Sequence, residues 1–247
     1  MSQIRSYSVG EGDMFYINHG SDNFTIIDCC LDEDTEEHIL AQVSALAKKK
    51  GITRFISTHP DEDHLQGLIE LDKKIGIVNF YCVKNAAKKP DESDDFIKYR
   101  EFRDCEKAFH VYKGCTRKWM NLSDEERKTS GINILWPNTA NEDFKKALKD
   151  AADGKSPNNI SAVIKYSLEG GATFLWMGDL ETAFMEAIEA DIELPKVDIL
   201  FAPHHGRDSG RVPDSMLEKM QPKVIIVGEA PSEYLHYYPK LSGGHPL

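Results

Sequence analysis

The stretch ISTHPDEDHLQG, residues 56–67, comes at the end of an apolar run. It contains two histidines, two aspartates and a glutamate. Its residues His59, Asp61, Asp63 and His64 have the spacing H-x-D-x-D-H. In a turn just past a strand, side chains two residues apart can converge on one point while their neighbours aim at a second. Imidazole nitrogens and carboxylate oxygens are ligands for zinc and other first-row dications. A solvated acidic loop would explain any one of these residues alone, but the whole set favours a metal site.

Two later segments place similar side chains after predicted strands. FLWMGDLE puts Asp179 after an apolar run and a glycine, and ILFAPHHGRDSG puts His204 and His205 after another. Taken alone, Gly-Asp is a common turn and adjacent histidines can be a packed pair. Because three predicted strands end in ligand-type side chains, we interpret the three segments as parts of one metal centre.

Length and composition indicate a globular protein. The chain has 247 residues, of which 40% are hydrophobic and 29% charged, enough for one large core. It has no apolar run of about 18 residues, so no membrane segment is expected. The first ten residues lack the pattern of a secretory signal, and the five cysteines are an odd number without a C-x-x-C pair. We therefore expect a cytoplasmic protein.

The net charge of −11 argues against broad adhesion to nucleic acid. It does not exclude a nucleic-acid substrate, because bound dications would reverse the sign of the charge locally. The charge therefore limits the mode of binding more than the class of substrate.

Hydrophobic patterning predicts strands near both ends of the chain and helices between them, an α/β layered domain. Residues 84–155 differ, because they are highly charged and include a capping-box pattern from Ser123 to Glu126 that predicts a helix start. We predict a single domain over residues 1–247, with a charged, mostly helical insertion at about 84–155 that controls substrate access.

The H-x-D-x-D-H, Gly-Asp and Pro-His-His-Gly segments, in this order, resemble the metallo-β-lactamase-fold hydrolases. The branch that they resemble most is the nuclease-like domain of ComEC-type competence proteins. SVGEGDMFYI, residues 8–17, is similar to the strand–turn–strand of that branch, and TIIDCC, residues 25–30, to its next strand. The resemblance covers most of the chain apart from the middle region. It implies a four-layer αββα sandwich with a site where loops from both sheets meet.

The resemblance also implies two divalent metal ions that share one carboxylate. The implied ligands are His59, Asp61 and Asp179 for one ion, and Asp63, His64, Asp179 and His205 for the other. Asp63 is then also a catalytic residue, and His204 faces the substrate as a phosphate contact or proton donor. Asp28 would lie beneath the site and orient the ligand loop through hydrogen bonds, with a plain strand-terminal turn as the alternative.

Four further residues are candidate substrate contacts. Asn159 and Ser161 lie in the stretch PNNIS that matches the competence-type branch, although this stretch is equally consistent with a turn entering a strand. Arg207 follows His-His-Gly and suits bidentate phosphate binding, with a purely exposed arginine as the alternative. His236 in YLHYYP is the loosest of these matches.

The predicted function is that of a metal-dependent hydrolase that uses a metal-bound hydroxide, most consistent with a phosphodiesterase or nuclease acting on nucleic acid. Zinc is the favoured ion, and because Asp61, Asp63 and Asp179 make the site rich in oxygen, manganese should be tolerated as well. One alternative is a small-substrate hydrolase of the same fold that acts on a phosphoester, thioester or lactam. Another is a non-catalytic sensing module. The ending of the chain, residues 239–247, raises the further expectation that it is one domain of a larger protein or assembly.

Overall fold

A computed structural model describes residues 1–167 and 170–238, which contain two mixed β-sheets flanked by helices. The first sheet has six strands in chain order: β1 (Gln3–Ser6), β2 (Phe15–Asn18), β3 (Asn23–Ile27), β4 (Ile52–Ile56), β5 (Asn79–Val83) and β6 (Phe109–Val111). The second sheet has five strands: β7 (Ile132–Trp136), β8 (Val163–Tyr166), β9 (Phe174–Trp176), β10 (Ile199–Phe201) and β11 (Val224–Ile226). In the second sheet each strand also neighbours the next along the chain.

The described helices are α1 (Glu36–Ala47), α2 (Leu68–Ile75), α3 (Asp94–Arg103), α4 (Glu142–Ala152), α5 (Thr182–Ile188) and α6 (Asp214–Met220). α2 packs between α1 and α3, and α3 contacts β5 of the first sheet. On the second sheet, Trp136 of β7 packs edge-on against Phe144 of α4 and Phe184 of α5. Each sheet is therefore covered by its own set of helices.

Aromatic side chains join the two sheets face to face. The ring of Phe15 on β2 lies 6.0 Å from that of Trp176 on β9 and 4.8 Å from that of Phe201 on β10. Residues alternating along a strand point to opposite faces, so one face of each sheet is free to pack against the other. The layers are helix, sheet, sheet and helix. The predicted α/β class and αββα arrangement are confirmed.

Strand directions bring the predicted site segments to one edge of the sheets. β3 and β4 are parallel, and so are β9 and β10, so the loops that follow the strands of each pair leave on the same side. β2 runs antiparallel to β3 with Phe15 opposite Ile27, so the turn before β2 meets the loop after β3. These loops carry the side chains of the candidate site.

The stretch from 84 to 155 contains α3 and α4, and also β6 and β7, each of which forms an edge of one sheet. The helix start predicted from Ser123 to Glu126 is wrong, because residues 125–127 form a turn. The carboxylate of Asp124 accepts hydrogen bonds from Arg127 N and Trp119 Nε1, both at 2.7 Å. These contacts close the turn locally. The extent of the predicted insertion and the single-domain organisation stay predictions.

Among the described residues, no helix is both long and apolar enough to cross a membrane. All five cysteines are free thiols, and four of them are buried. The stretch 239–247, on which the expectation of a larger protein depended, lies outside the described residues.

Candidate metal centre

The loop after β4 is shaped by its own aspartate. Asp61 has extended backbone geometry, and its Oδ1 accepts a hydrogen bond from Glu62 N at 2.9 Å. This caps a single helical turn over Glu62–His64. Because of the turn, Asp63 and His64 point toward the loops that follow β9 and β10.

Four side chains from four separate segments converge into one compact group. They are Asp13, His64, Asp179 and His205, whose candidate ligand atoms all lie within 4.8 Å of one another. His64 Nε2 lies 3.1 Å from Asp179 Oδ1, and His205 Nε2 lies 3.5 Å from Asp179 Oδ2. His205 Nδ1 lies 3.5 Å from Asp13 Oδ1. Asp179 is therefore the carboxylate that the imidazoles surround.

Three ligand atoms of this group are buried without hydrogen-bond partners. His64 Nε2, Asp179 Oδ1 and His205 Nδ1 are all in this state, and so is His59 Nε2 nearby. The 3.1 Å approach of His64 to Asp179 does not have hydrogen-bonding geometry. An unpaired buried polar atom costs about 1–3 kcal/mol, so several in one place need a partner. Two imidazoles and two carboxylates suit a first-row dication, and the residues present fit such an ion.

A second layer of contacts fixes the orientation of His64. Its Nδ1 lies 3.0 Å from Asp28 Oδ2, which leaves Nε2 facing Asp179. Asp28 also accepts hydrogen bonds from Thr58 N at 2.7 Å and Thr58 Oγ1 at 2.6 Å. A carboxylate that holds the far nitrogen of a histidine is the usual support of a metal-ligating imidazole. Asp28 therefore contacts His64 directly, and its role in orienting a metal ligand stays a prediction.

Three residues of the site have left-handed backbone conformations that are unusual outside glycine. The φ angles are +56° at Asp28, +52° at His204 and +56° at His205. Such strain persists only where surrounding contacts determine the conformation, and it is concentrated at functional sites. The strained backbone thus coincides with the convergence of the ligand loops.

The charges of the metal-free site are strongly coupled. Burial would lower the pKa of His64, but the carboxylates of Asp179 and Asp28 hold it well above its usual value. Burial opposes protonation of His205 too, yet its contacts with Asp13, Asp179 and Asp63 raise its pKa to about 12. Burial would raise the pKa of Asp179, but His64 and His59 hold it well below its usual value. In the absence of an ion, protons on His64 and His205 therefore balance the buried carboxylates.

Binding of a divalent ion is expected to release about two protons at neutral pH, because ligating imidazoles must be neutral. The pKa values of His64 and His205 are raised in the metal-free protein, so protons compete with the ion over the whole neutral range and affinity should rise with pH. Calorimetry in buffers of different ionisation enthalpy measures the protons released. An affinity that does not change between about pH 6 and pH 8 would contradict this coupling.

Two predicted ligands lie beside the group. Asp63 Oδ2 is 3.1 Å from His205 Nε2, and Asp63 Oδ1 is 3.9 Å from His64 Nε2. Burial would raise the pKa of Asp63, but its contacts with His205 and His64 lower it to about 2. His59 Nε2 is 3.8 Å from Asp179 Oδ2, and burial is the main cause that lowers the pKa of His59. Both residues face the cluster, and their roles as ligands stay predictions.

Asp61 differs most from its predicted role. Its Oδ1 lies 2.7 Å from Lys89 Nζ, so its carboxylate is paired with an ammonium group. The same oxygen caps the turn at Glu62. The carboxylate of Asp61 therefore already has a positive side-chain partner, and its role as a metal ligand stays a prediction.

The predicted substrate contacts Ser161 and Asn159 lie under and beside the loop of Asp179. Ser161 is completely buried, and its Oγ accepts a hydrogen bond from Asp179 N at 3.0 Å. A Cβ added to Gly178 would lie 2.6 Å from this Oγ, so the glycine allows the close approach. Asn159 exchanges two hydrogen bonds with Glu181. Ser161 therefore positions the loop of Asp179, and the roles of Ser161 and Asn159 as substrate contacts stay predictions.

Three further predicted site residues lie in or against the His-His-Gly loop after β10: His204, Arg207 and His236. His204 Nε2 is 3.8 Å from Asp179 Oδ2, and its Nδ1 is 2.9 Å from Ser209 Oγ. Burial is the main cause that lowers the pKa of His204. The guanidinium of Arg207 is paired with Glu11. The backbone N–H of His236 donates to Gly206 O at 2.7 Å, which holds the final described segment against the His-His-Gly loop.

Asp13 is not among the site residues expected from the sequence. This residue stands just before β2, where the antiparallel pairing with β3 brings it to the ligand edge. Its backbone N–H donates to Asp63 O at 3.1 Å. A Cβ on the preceding Gly12 would lie 2.4 Å from Cys30 Sγ and 2.6 Å from Asp63 O, so only glycine fits there. A glycine followed by aspartate at the start of a strand was the available signal, and it had been interpreted only as a turn.

Comparisons with known proteins give distant structural likenesses alone. No protein-family model matches the chain, and no curated protein matches it. A B3 metallo-β-lactamase described as the first with an active-site glutamic acid is 13% identical, with a TM-score of 0.41 over 73% of this chain and 60% of that one. The metallo-β-lactamase SMB-1, solved with mercaptoacetic acid, is 14% identical, with a TM-score of 0.46 over 82% of this chain and 79% of that one.

A third structure is the class B3 di-zinc metallo-β-lactamase LRA-12 from an Alaskan soil metagenome. It is 12% identical, with a TM-score of 0.36 over 75% of this chain and 66% of that one. At these identities and TM-scores the comparisons do not indicate a substrate or an ion count for this chain. The site must be interpreted from its own geometry.

Proposed function

We propose that this protein is a metal-dependent hydrolase whose ion is held by Asp13, His64, Asp179 and His205. The observation that carries the proposal is the convergence of these four residues, three of which have a buried ligand atom without a hydrogen-bond partner. The four residues come from four separate segments, and three of them are buried. A chance cluster of surface charges is therefore a poor explanation. A divalent ion bound there supplies activated water at neutral pH and stabilises negative charge on substrate oxygens.

The residues around the ion divide the remaining tasks. The side chain of Asp63 is 36% exposed, and its carboxylate can accept a hydrogen bond from a water molecule at the centre and orient it toward a substrate. Asp28 holds His64 in the tautomer that keeps Nε2 free for the ion. His204 is neutral at pH 7, because burial lowers its pKa. When Ser209 donates to Nδ1 of His204, Nε2–H of His204 is left to donate to a substrate oxygen.

We further propose that the substrate is a phosphodiester, most consistent with nucleic acid. The support is the resemblance of the H-x-D-x-D-H, Gly-Asp and Pro-His-His-Gly segments to the nuclease-like domains of ComEC-type competence proteins. Arg207 would join a phosphate only if its pair with Glu11 opened, and exposed pairs of this kind contribute only about 0–1 kcal/mol. The free thiols of the chain are in keeping with a reducing compartment, and we propose the cytoplasm.

The acidic surroundings favour one alternative, a small-substrate hydrolase. The net charge is −11, and Arg207 beside the site is already paired with an acidic residue. A small phosphoester, thioester or lactam would need less positive surface than a polynucleotide does.

The test is hydrolysis by purified protein with added Zn²⁺ or Mn²⁺. Single- and double-stranded DNA, RNA, a generic phosphodiester, a thioester and a lactam are compared, each with Asp179→Asn protein as the inactive control. Cleavage of nucleic acid by the unaltered protein, without cleavage by the Asp179→Asn protein, supports the proposal in full. If only small substrates are turned over, the small-substrate hydrolase replaces the proposal of a nucleic-acid substrate. If none of the substrates is turned over in the presence of metal, the hydrolase proposal is contradicted.

A further inference from the structure

Lys89 places a positive charge where the first metal ion was predicted. Its Nζ lies 2.7 Å from Asp61 Oδ1 and 3.6 Å from Glu62 Oε2, both in the H-x-D-x-D-H loop. The lysine side chain is only 18% exposed. The carboxylate that the first ion requires is therefore partly neutralised and sterically engaged by an ammonium group from the same chain.

The backbone around Lys89 is fixed from two sides. Lys88 N donates to Ala151 O of α4 at 3.1 Å. Arg103 of α3 donates to Ala87 O at 3.3 Å. The ammonium of Lys89 also lies 5.4 Å from the centre of the Phe96 ring, within the range of a cation–π contact. These contacts place Lys89 in a defined position, unlike a surface lysine that is free to swing away.

The remaining ligands of the predicted first site are too few for a second ion. With Asp61 engaged, only His59 and the shared Asp179 are left of the three predicted residues. Protein-bound zinc ordinarily has at least three protein ligands, and an ion at this place would also lie near an ammonium group. The compact group of Asp13, His64, Asp179 and His205 does not include Asp61 or His59.

We propose that the centre holds one ion and that Lys89 provides a fixed positive charge in place of a second. This inference rests on the proposed function and specifies its metal content. In a hydrolase of this kind, the ammonium of Lys89 would occupy the carboxylate of Asp61 that a second ion would need. The centre would then contain one ion and one lysine in place of the expected pair of ions.

The test is the number of ions bound per chain. Metal-free full-length protein is titrated with Zn²⁺ by calorimetry, and the ions that remain after gel filtration are counted by elemental analysis. The unaltered protein is expected to bind one ion. Lys89→Met frees Asp61 and is expected to bind a second, weaker ion, and Lys89→Met combined with Asp61→Asn is expected to return to one.

Two further variants serve as controls. Lys88→Met removes the same charge at the neighbouring exposed position and should leave one ion bound. Lys89→Arg keeps the positive charge and should also leave one ion bound. Circular dichroism checks that each variant is folded, and the count in the unaltered protein is informative even if Lys89→Met does not fold.

Each outcome decides between the inference and the function on which it rests. Two tightly bound ions in the unaltered protein would overturn the inference and leave the hydrolase proposal standing. A single ion in both the unaltered protein and Lys89→Met would show that Lys89 does not exclude the second ion, and would also overturn it. No bound ion in the unaltered protein would remove the proposed function itself.

Discussion

Asp179→Asn is expected to abolish stoichiometric metal binding and to reduce hydrolysis to background. The carboxylate of Asp179 is the common neighbour of the site imidazoles, with His64 at 3.1 Å and His205 at 3.5 Å. Asparagine has nearly the same shape but only one acceptor oxygen and no charge, so it cannot share its two oxygens between an ion and the histidines. The measurements are elemental analysis of the purified protein and metal-dependent turnover of the best substrate.

A matched control is Asp198→Asn. Asp198 precedes β10, at the end opposite the ligand loops, and pairs with Lys223 on the surface. This change should leave metal content and turnover as they are in the unaltered protein. If Asp179→Asn kept a full equivalent of ion and its activity, the ion would not be held where we place it.

Asp28→Asn is expected to lower metal affinity by about 10- to 100-fold, the usual effect of losing a partner that orients a metal ligand. The carboxylate of Asp28 accepts from His64 Nδ1 and fixes that proton. An asparagine amide in the same place donates instead, which favours the tautomer with the proton on Nε2, the atom that faces Asp179. Asparagine also tolerates the left-handed φ of +56° at this position, so the backbone should be kept.

The affinity is measured by competition with a chelator, in parallel with Asp22→Asn. Asp22 stands at the opposite end of β3 and pairs with Arg127, so its loss should not alter the affinity. Equal affinities for Asp28→Asn and the unaltered protein would show that Asp28 only packs beneath the loop. An unfolded Asp28→Asn protein would instead reveal a purely structural role for its hydrogen bonds to Thr58.

An α/β layered domain and three of the ligand segments were predictable from local sequence, whereas the four-layer αββα arrangement was implied by the family resemblance. Alternating apolar runs predicted the strands, and the ligand-type residues His64, Asp179 and His205 each stand just after such a run. Loops that follow parallel strands leave a sheet on the same side, so the convergence of such segments follows from strand direction once the order of the strands is known. This is why the central part of the site was accessible without coordinates.

Asp13 and Lys89 were not predictable in the same way. Asp13 stands before its strand and joins the site only because β2 is antiparallel to β3. Lys89 meets Asp61 across 28 positions of sequence, through a segment held by α3 and α4. Spacing within one motif carries no information about such a partner. The resemblance that implied two ions includes Asp61 among the ligands, and the pairing of Asp61 with Lys89 is not visible in that motif.

The most direct measurement is anomalous X-ray diffraction at the zinc edge from crystals of the full chain grown with Zn²⁺. The account predicts a peak within about 2.0–2.2 Å of ligand atoms from Asp13, His64, Asp179 and His205. A zinc peak held by a different set of residues, or the same four side chains closed on one another with no zinc peak, would contradict it.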